Sequence, residues 1–406
     1  MKQRSRVAIT GIGLLSPLGN ERNVFWNNLK NGVVGLRQPG ELTLIGSARK
    51  KIGLVEQFVP EEYFPDNKIQ NIDQVSQRVI AACKMALNDA RVDKRQKAAI
   101  RFFGSLGSVI GALPPSHRLD LSKLVTGLAP IYTSRMMEFR NQTLFDNLCR
   151  CEQMDCPGLT VSCYCSSGLH AVAFGFDAVR SGKYDMAIVG GYELFRTFIF
   201  SHLSDLKLLS QNICRPFDER RDGMYIGEGV GIVILEKYEN AQKRGVRMYG
   251  EIIGCGMGYD AYHITRFSTK GSGIKSAVTA ALSDARIATG DVDLIIADAK
   301  GIRDGDLNEV NGLRKVFGEG LSSVPITSLK SQMTHCMGAS GPLSMIAGIY
   351  CLRENVLLPT KNFERSGFKT TLNIVADRMQ RKKLQTILVN AIGFGGNAAA
   401  VLVRKN

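Results

Sequence analysis

The opening segment of the chain, Arg6 to Gly13, is an apolar stretch of strand length interrupted by Gly11 and Gly13. It is echoed in the second half, where Met248 to Ile253 reads as a strand running into Gly254 and Gly256. After each copy, strand-like and helix-like stretches alternate in similar order. In the first half, Val75, Val79, Ile80, Ala82, Cys83 and Leu87 fall on one face of a helix predicted over 71–90, with Asp73 as its cap. Strands follow at Phe102 to Gly107, Leu159 to Val161, Asp185 to Gly190 and Gly229 to Glu236, with a helix over Ser167 to Ser181. In the second half, helices are expected over Ser272 to Ala285 and Pro342 to Leu352. Strands are expected at Asp293 to Ala297 and Pro325 to Leu329, and Thr386 to Asn390 with Ala398 to Val403 reads as a hairpin. This grammar argues for an α/β fold with substantially parallel sheets, built as two units, 1–245 and 246–406, joined near 240–247. Residues 111–158 fit it poorly. They carry Pro114-Pro115 and Met136-Met137 and are expected to be an insertion shaping a pocket or a dimer contact.

Composition excludes several classes. Of 406 residues, 44% are apolar and 22% charged, which is globular rather than disordered. The longest apolar runs, such as Met186 to Val189, are strand-sized, so no membrane span is expected. The start, Met-Lys-Gln-Arg-Ser-Arg followed by a short stretch to Gly11, does not read as a secretory leader. A cytoplasmic protein with its ten cysteines reduced is expected. Cys149 with Cys151, and Cys163 with Cys165, invite a zinc reading, but none of the five histidines stands in a ligand cluster, so no metal is expected. Gly227 to Gly231 feeds a strand, not a helix, and is no dinucleotide fingerprint. The formal charge is +15, yet the densest basic stretch, Arg378 to Lys383, accompanies no nucleic-acid-binding motif. It reads as solvated surface, and the overall excess favours an acidic protein partner.

The chemistry concentrates at Thr160 to His170, Thr-Val-Ser-Cys-Tyr-Cys-Ser-Ser-Gly-Leu-His. A strand runs into small residues and a helix follows. A cysteine at that junction sits near the positive end of the helix dipole, which is expected to lower its pKa and favour the thiolate. A backbone N–H at the same turn suits an oxyanion. Against this stands the commoner fate of a cysteine, a buried and inert thiol. Cys163 fits that description and Cys165 fits the reactive one. His170, one helical turn beyond Cys165, and His263 read as packing or hydrogen-bonding residues.

This segment resembles the active-site elbow of the β-ketoacyl synthases, the condensing enzymes of fatty acid and polyketide synthesis. Arg6 to Gly19 is similar to that family's opening strand, Arg215 to Glu236 (RPFDERRDGMYIGEGVGIVILE) to its central signature, and Gly258 to Thr265 to the segment after the join. Lys330 to Gly341 resembles its KS-x-x-G-H loop, and Gly393 to Gly396 (GFGG) its C-terminal gate. The resemblance spans nearly the whole chain. It implies a thiolase-like fold of duplicated α/β halves layered α-β-α-β-α. It implies Cys165 as nucleophile, His335 and Lys330 as catalytic groups, and the backbone N–H groups of Cys165 and Phe394 as oxyanion hole. Glu309, Gly393 and Gly395 would be supporting residues, whereas Arg221 and Asp222 would be structural. It also implies an acyl carrier protein as partner, with the phosphopantetheine arriving on it so that no resident cofactor is needed, and a homodimer or a heterodimer with another ketosynthase-like subunit. Met136, Met137 and Phe139 are candidates for the acyl pocket, or for plain core.

The pattern breaks at one place. The family motif N-A-H-G-T-x-T-P-x-G-D stands here as ADAKGIRDGDLNE, Ala297 to Glu309, with a one-residue deletion. Lys300 takes the place of the first catalytic histidine. Ile302 replaces the first threonine, and Arg303 or Asp304 the second, where the family contacts the pantetheine arm. Thr334 replaces the glycine before His335, and Asn397-Ala398 follows the gate. Acyl transfer to Cys165 needs none of the lost groups. Decarboxylative elongation does, because two neutral imidazoles stabilise its enolate and a lysine differs in reach and shape. Three readings follow: an acyl-thioester transferase of this family, a non-elongating partner subunit resembling a chain-length factor, and an elongating synthase with Lys300 standing in for histidine.

Overall fold

The computed structural model describes residues 5–38, 51–64, 72–111 and 141–406. Pro114-Pro115, Met136, Met137 and Phe139 lie outside the described residues.

Two halves repeat one strand order. In the first, β1 (Val7–Leu15), β2 (Phe102–Gly107), β3 (Gly158–Val161), β4 (Met186–Glu193) and β5 (Gly229–Lys237) lie side by side as β3-β2-β4-β5-β1. In the second, β6 (Gly250–Gly258), β7 (Leu294–Ile296), β8 (Pro325–Thr327), β12 (Thr386–Ile392) and β13 (Ala398–Arg404) lie as β8-β7-β12-β13-β6. The short β10 (Asn373–Ile374) adds to the β8 edge, and β9 (Val356–Leu357) pairs with β11 (Gln380–Arg381) as a separate ribbon. The halves meet where Val7, Ala8 and Ile9 pair with Ile252, Glu251 and Gly250. The sheets are mixed rather than substantially parallel. β2 runs parallel to β3 and β4, and β7 to β8 and β12, but β5 is antiparallel to β1 and β4, and β13 to β6 and β12. The parallel run ends at β4 and at β12, whose successors β5 and β13 return antiparallel, in the second half through the short Gly-Phe-Gly-Gly turn.

Helices complete the layers. α1 (Gln74–Asp89), capped by the Asp73 carboxylate at the N–H groups of Val75 and Ser76, packs on β1 and β5. α2 (Ser167–Arg180) and α6 (Ser340–Glu354) lie between the strands of the two halves, and α4 (Ser272–Ala285) covers β6 and β13 from the far side, with α5 (Arg303–Phe317) beside it. The chain is therefore the five-layer thiolase-like arrangement. Every residue of α6 from Ser340 to Leu352 is buried, as a helix enclosed on all sides requires. The core of this central layer draws Leu169, Val172 and Phe176 from α2, Leu343 and Ile346 from α6, and strand residues from both halves.

The glycine echo has a packing cause. Gly254 and Gly256 lie within β6 rather than ending it. A Cβ on Gly13 would collide with the Ala82 carbonyl of α1, and one on Gly256 with the Ala277 carbonyl of α4. The missing side chains let α1 settle onto β1 and α4 onto β6.

Among the described residues no helix is long and apolar enough to cross a membrane. All ten cysteines are free thiols.

Candidate active site

The turn between β3 and α2 is tied by its own serines. Ser166 Oγ donates to the Cys163 carbonyl at 2.7 Å, Ser167 Oγ donates to the Tyr164 carbonyl, and the Cys163 N–H donates to Ser167 Oγ at 2.8 Å. Tyr164 takes φ +51°, a left-handed conformation that a bulky residue adopts only under local constraint. This elbow presents Cys165 just before α2 begins. Cys163 is half-buried, not fully enclosed as its reading as an inert core thiol implied. His170 is buried, with Nδ1 3.0 Å from the Ser166 carbonyl.

Cys165, Lys300, His335 and Phe394 line one cavity of about 340 Å³. Its wall is largely apolar, with Met224, Ile302 and Met337 among its residues, and it includes Ile199 and Leu203 from α3 (Thr197–Asp205). His202 of the same helix lines it from an exposed position. Phe394 stands with its ring centroid 5.3 Å from Phe267 and 6.0 Å, edge-on, from Tyr164. Gly393 lies flush against the elbow, since a Cβ there would sit 3.1 Å from the Cys165 nitrogen and 2.8 Å from the Cys163 carbonyl. Gly395 takes φ +71°, which lets the turn reverse into β13.

The central signature positions His335. The His335 N–H donates to the Tyr225 carbonyl at 2.7 Å, and the Gly227 N–H donates to the His335 carbonyl at 3.0 Å. The imidazole is buried, Nδ1 lies 3.1 Å from Ser340 Oγ, and Nε2 has no hydrogen-bond partner among the described residues. Burial, reinforced by the positive charges of Lys300 and Lys330, holds its pKa well below the usual histidine value, so the ring rests neutral.

Lys300 extends into the interior. Its Nζ donates to Asp298 Oδ2 at 2.5 Å and to the Ile392 carbonyl at 3.1 Å. Burial alone would lower its pKa, but Asp298, with Cys165 and Glu309 adding to it, leaves the ammonium above its ordinary value. Asp306 fixes the turn, accepting the N–H groups of Lys300, Gly301 and Phe217. Lys330 is fully buried, bonded to Ser344 Oγ at 3.1 Å, and its Nζ lies 3.4 Å from Asp298 Oδ1. Glu309 accepts the Asp298 N–H. Arg221 and Asp222 stay within the signature, Arg221 donating to the Asp218 carbonyl and Asp222 accepting from Ser210 Oγ. His263 is exposed and accepts the Thr265 N–H.

The thiol itself departs from expectation. Cys165 is only partly covered from solvent, yet the packing around its sulfur pushes the thiol up to about 11; Asp298 and Glu193 add to this, and Lys300 and Lys330 only partly offset it. The helix start does not by itself produce a resting thiolate, because desolvation of the charged sulfur is the larger effect. The constellation therefore holds a neutral thiol, a neutral imidazole and a paired ammonium around an apolar cavity.

Asp298 is the residue that sequence reasoning missed. The signal lies in the motif: D-A-K for N-A-H changes two residues together, one to an acid and one to a base. Ile199, His202 and Leu203 carry no comparable signal, since a short helix after β4 has no motif of its own. Among the described residues no group of three or more His, Cys, Asp or Glu side chains is placed to hold a metal ion.

Comparisons with known proteins follow the same lines. The family model of the β-ketoacyl synthase N-terminal domain matches residues 4–241, and that of the C-terminal domain residues 249–364. A 3-oxoacyl-[acyl-carrier-protein] synthase 2 from Staphylococcus aureus is 31% identical over 100% of this chain and 99% of its own length. A protein of the same description from Vibrio harveyi is 29% identical over 99% of each chain. Among solved structures, the ishigamide ketosynthase/chain length factor superposes with a TM-score of 0.93 at 26% identity, covering 99% of this chain and 100% of that one. A type II polyketide synthase acyl-carrier protein in complex with its ketosynthase gives 0.89 at 26%, with 100% of both chains covered.

Proposed function

The chain belongs to the β-ketoacyl synthase family, and from that premise we propose that it is an acyl-thioester transferase in which Cys165 takes an acyl chain from a carrier protein. The observation that carries this reading is the convergence of Cys165, Lys300, His335 and Phe394 on one largely apolar cavity. The Cys165 sulfur attacks the thioester carbonyl carbon, the carrier sulfur leaves, and the cysteine proton ends on the departing carrier thiol. With the Ser340 hydroxyl donating to Nδ1, the His335 Nε2–H faces the cavity as a donor to the thioester oxygen. The backbone N–H groups of Cys165 and Phe394 complete the oxyanion hole, and Lys330 steadies Asp298 from behind. The phosphopantetheine is the carrier's, and the chain needs no cofactor of its own. A +15 surface suits an acidic carrier.

Elongation is disfavoured in this reading. Lys300 is an ammonium already bonded to Asp298 and Ile392, in place of a neutral imidazole free to hold an enolate. A second reading, a subunit that pairs with another ketosynthase, is favoured by the fit to the ketosynthase/chain length factor structure. Retention of Cys165 ranks it below transfer.

Intact-protein mass spectrometry after incubation with a panel of acyl-carrier thioesters separates the two. A mass gain equal to the acyl group, absent in Cys165→Ala, is the expected result. No adduct from any donor on folded protein with a free thiol would overturn acyl transfer in favour of the partner subunit.

A further inference from the structure

Asp298 does more than neutralise one lysine. Its Oδ2 accepts both Lys300 Nζ at 2.5 Å and the Ile392 N–H at 3.1 Å. Lys300 returns the connection, donating to the Ile392 carbonyl at 3.1 Å. The ion pair is thus clipped at two points to the last residue of β12, immediately before the Gly393–Phe394 turn. Both side chains are buried, 1% exposed for Asp298 and 3% for Lys300. Asp298 Oδ1 lies 3.4 Å from Lys330 Nζ but makes no hydrogen bond. One carboxylate therefore serves two ammonium groups. The lysine has three N–H donors, of which two are committed within this clip.

We propose that Asp298 is the positioning residue of the site: it anchors the Lys300 ammonium to the end of β12 and so sets how much positive charge reaches the Cys165 sulfur. The inference rests on the reading of Cys165 as the nucleophile. The charged and titratable groups around that sulfur are Lys300 and Lys330 on the positive side, Asp298 and Glu193 on the negative side, and neutral His335. Glu309 and Asp306 stand behind Asp298 and Lys300. A carboxylate in this position opposes a thiolate in two ways. Its own charge repels the sulfur, and it holds the ammonium that would otherwise pair with it. The exchange of Asn-Ala-His for Asp-Ala-Lys is then one coupled change: the acid is what makes a buried lysine tolerable, and it restrains the charge it admits.

The test is the pH profile of Cys165 alkylation by iodoacetamide, read by peptide mass spectrometry so that the other nine cysteines do not count. Wild type, Asp298→Asn, Lys300→Met and the double variant are compared. Asp298→Asn should move the midpoint to lower pH by about one unit, which is about tenfold faster labelling at pH 8. Lys300→Met should move it to higher pH, and the double variant should fall between the two single ones. An Asp298→Asn profile that stays put or moves to higher pH overturns the proposal, because a plain structural brace would alter stability and leave the titration where it was. If Asp298→Asn does not fold, the double variant is compared with Lys300→Met. It must label at lower pH, and coincidence of the two overturns the proposal equally. Loading from acyl-carrier thioesters is measured on the wild type in parallel. Shifted profiles without loading sink the acyl-transfer reading alone, and loading with unmoved profiles sinks this inference alone.

Discussion

Glu309, on α5, accepts the backbone N–H of Asp298 at 3.0 Å through Oε1, the oxygen that also receives the Asn390 amide at 3.2 Å. Its other oxygen has no partner among the described residues. Burial, with the Asp298 charge adding to it, raises this carboxyl from 4.5 to about 7. The native state therefore holds a proton that the unfolded chain releases. The contribution of Glu309 is fully present below about pH 4.5 and is lost as pH rises through about 7. A shift of that size corresponds to on the order of 3 kcal/mol at its limit. Glu309→Gln keeps the accepting oxygen and cannot ionise. Urea denaturation should show the variant gaining about 1–3 kcal/mol on the wild type between pH 4.5 and 8. Glu193 and Asp306, also buried with raised values, titrate in both proteins and cancel from the difference. A difference that does not change with pH would mean that Glu309 is already ionised in the folded protein.

Thr334 stands where the resembled loop has glycine, and its backbone keeps a glycine conformation, φ 65° and ψ 175°. A threonine held there costs about 1–3 kcal/mol, which the surroundings must offset. They do so with two absent side chains: a Cβ on either Gly53 or Gly227 would collide with Thr334 Oγ1. Gly227→Ala should therefore destabilise the wild type by about 1–3 kcal/mol. In a Thr334→Gly background the same substitution should cost at least about 1 kcal/mol less. A denaturation cycle over the four proteins gives the coupling, and a coupling of zero would place the accommodation elsewhere.

The fold was readable because its signals are local and repeated. The Gly-x-Gly pairs mark where helices lie close on β1 and β6, and apolar spacing marks α1 from Val75 to Leu87. Strand direction was not readable in the same way. Which neighbours β5 and β13 choose depends on pairings distant in sequence, such as Val7 with Lys237 and Ala398 with Gly258, that no local pattern encodes. Motif positions brought Cys165, Lys300, His335 and Phe394 to notice, and all four border one cavity. The electrostatics stayed hidden. Position at a helix start argued for a low thiol pKa, whereas the desolvation that decides the matter depends on a cavity whose lining includes His335 and Phe394, more than a hundred positions away. Asp298 stayed hidden for a related reason: a buried aspartate two residues past a strand has meaning only once its lysine partners are located in space.

The coupled exchange at Asp298 and Lys300 makes a prediction about elongation. Lys300→His alone leaves a carboxylate beside the new imidazole, which favours the charged ring and ties it down. Asp298→Asn with Lys300→His recreates the Asn-Ala-His pattern with a neutral ring. Loss of one donor to a developing oxyanion typically costs about a hundred- to a thousand-fold. The double variant should therefore release carbon dioxide from a malonyl-carrier thioester at least about tenfold faster than the single variant, part of that range being recovered. Labelled carbon dioxide release is the measurement. Equal rates would shift the obstacle to the replaced threonine positions at Ile302 to Asp304.

The duplication sets equal demands on its two halves, and glycine substitution measures them. A Cβ on Gly13 would meet the Ala82 carbonyl and lie 2.8 Å from the Ala86 nitrogen, and one on Gly256 would meet the Ala277 carbonyl and lie 2.5 Å from the Ala281 nitrogen. Both obstacles are helix backbone, so no side chain can turn aside. Relief requires α1 or α4 to lift from its strand, exposing the apolar contacts beneath, including Val79 in one case and Val278 in the other. Gly13→Ala and Gly256→Ala should each destabilise the protein by about 3 kcal/mol or more, at the upper end of overpacking effects. The two costs should agree within about 1 kcal/mol, since the geometry is repeated. Chemical denaturation of both variants is the check. A silent Gly256→Ala beside a costly Gly13→Ala would show that α4 yields where α1 does not, and that the halves share a strand order without sharing its packing.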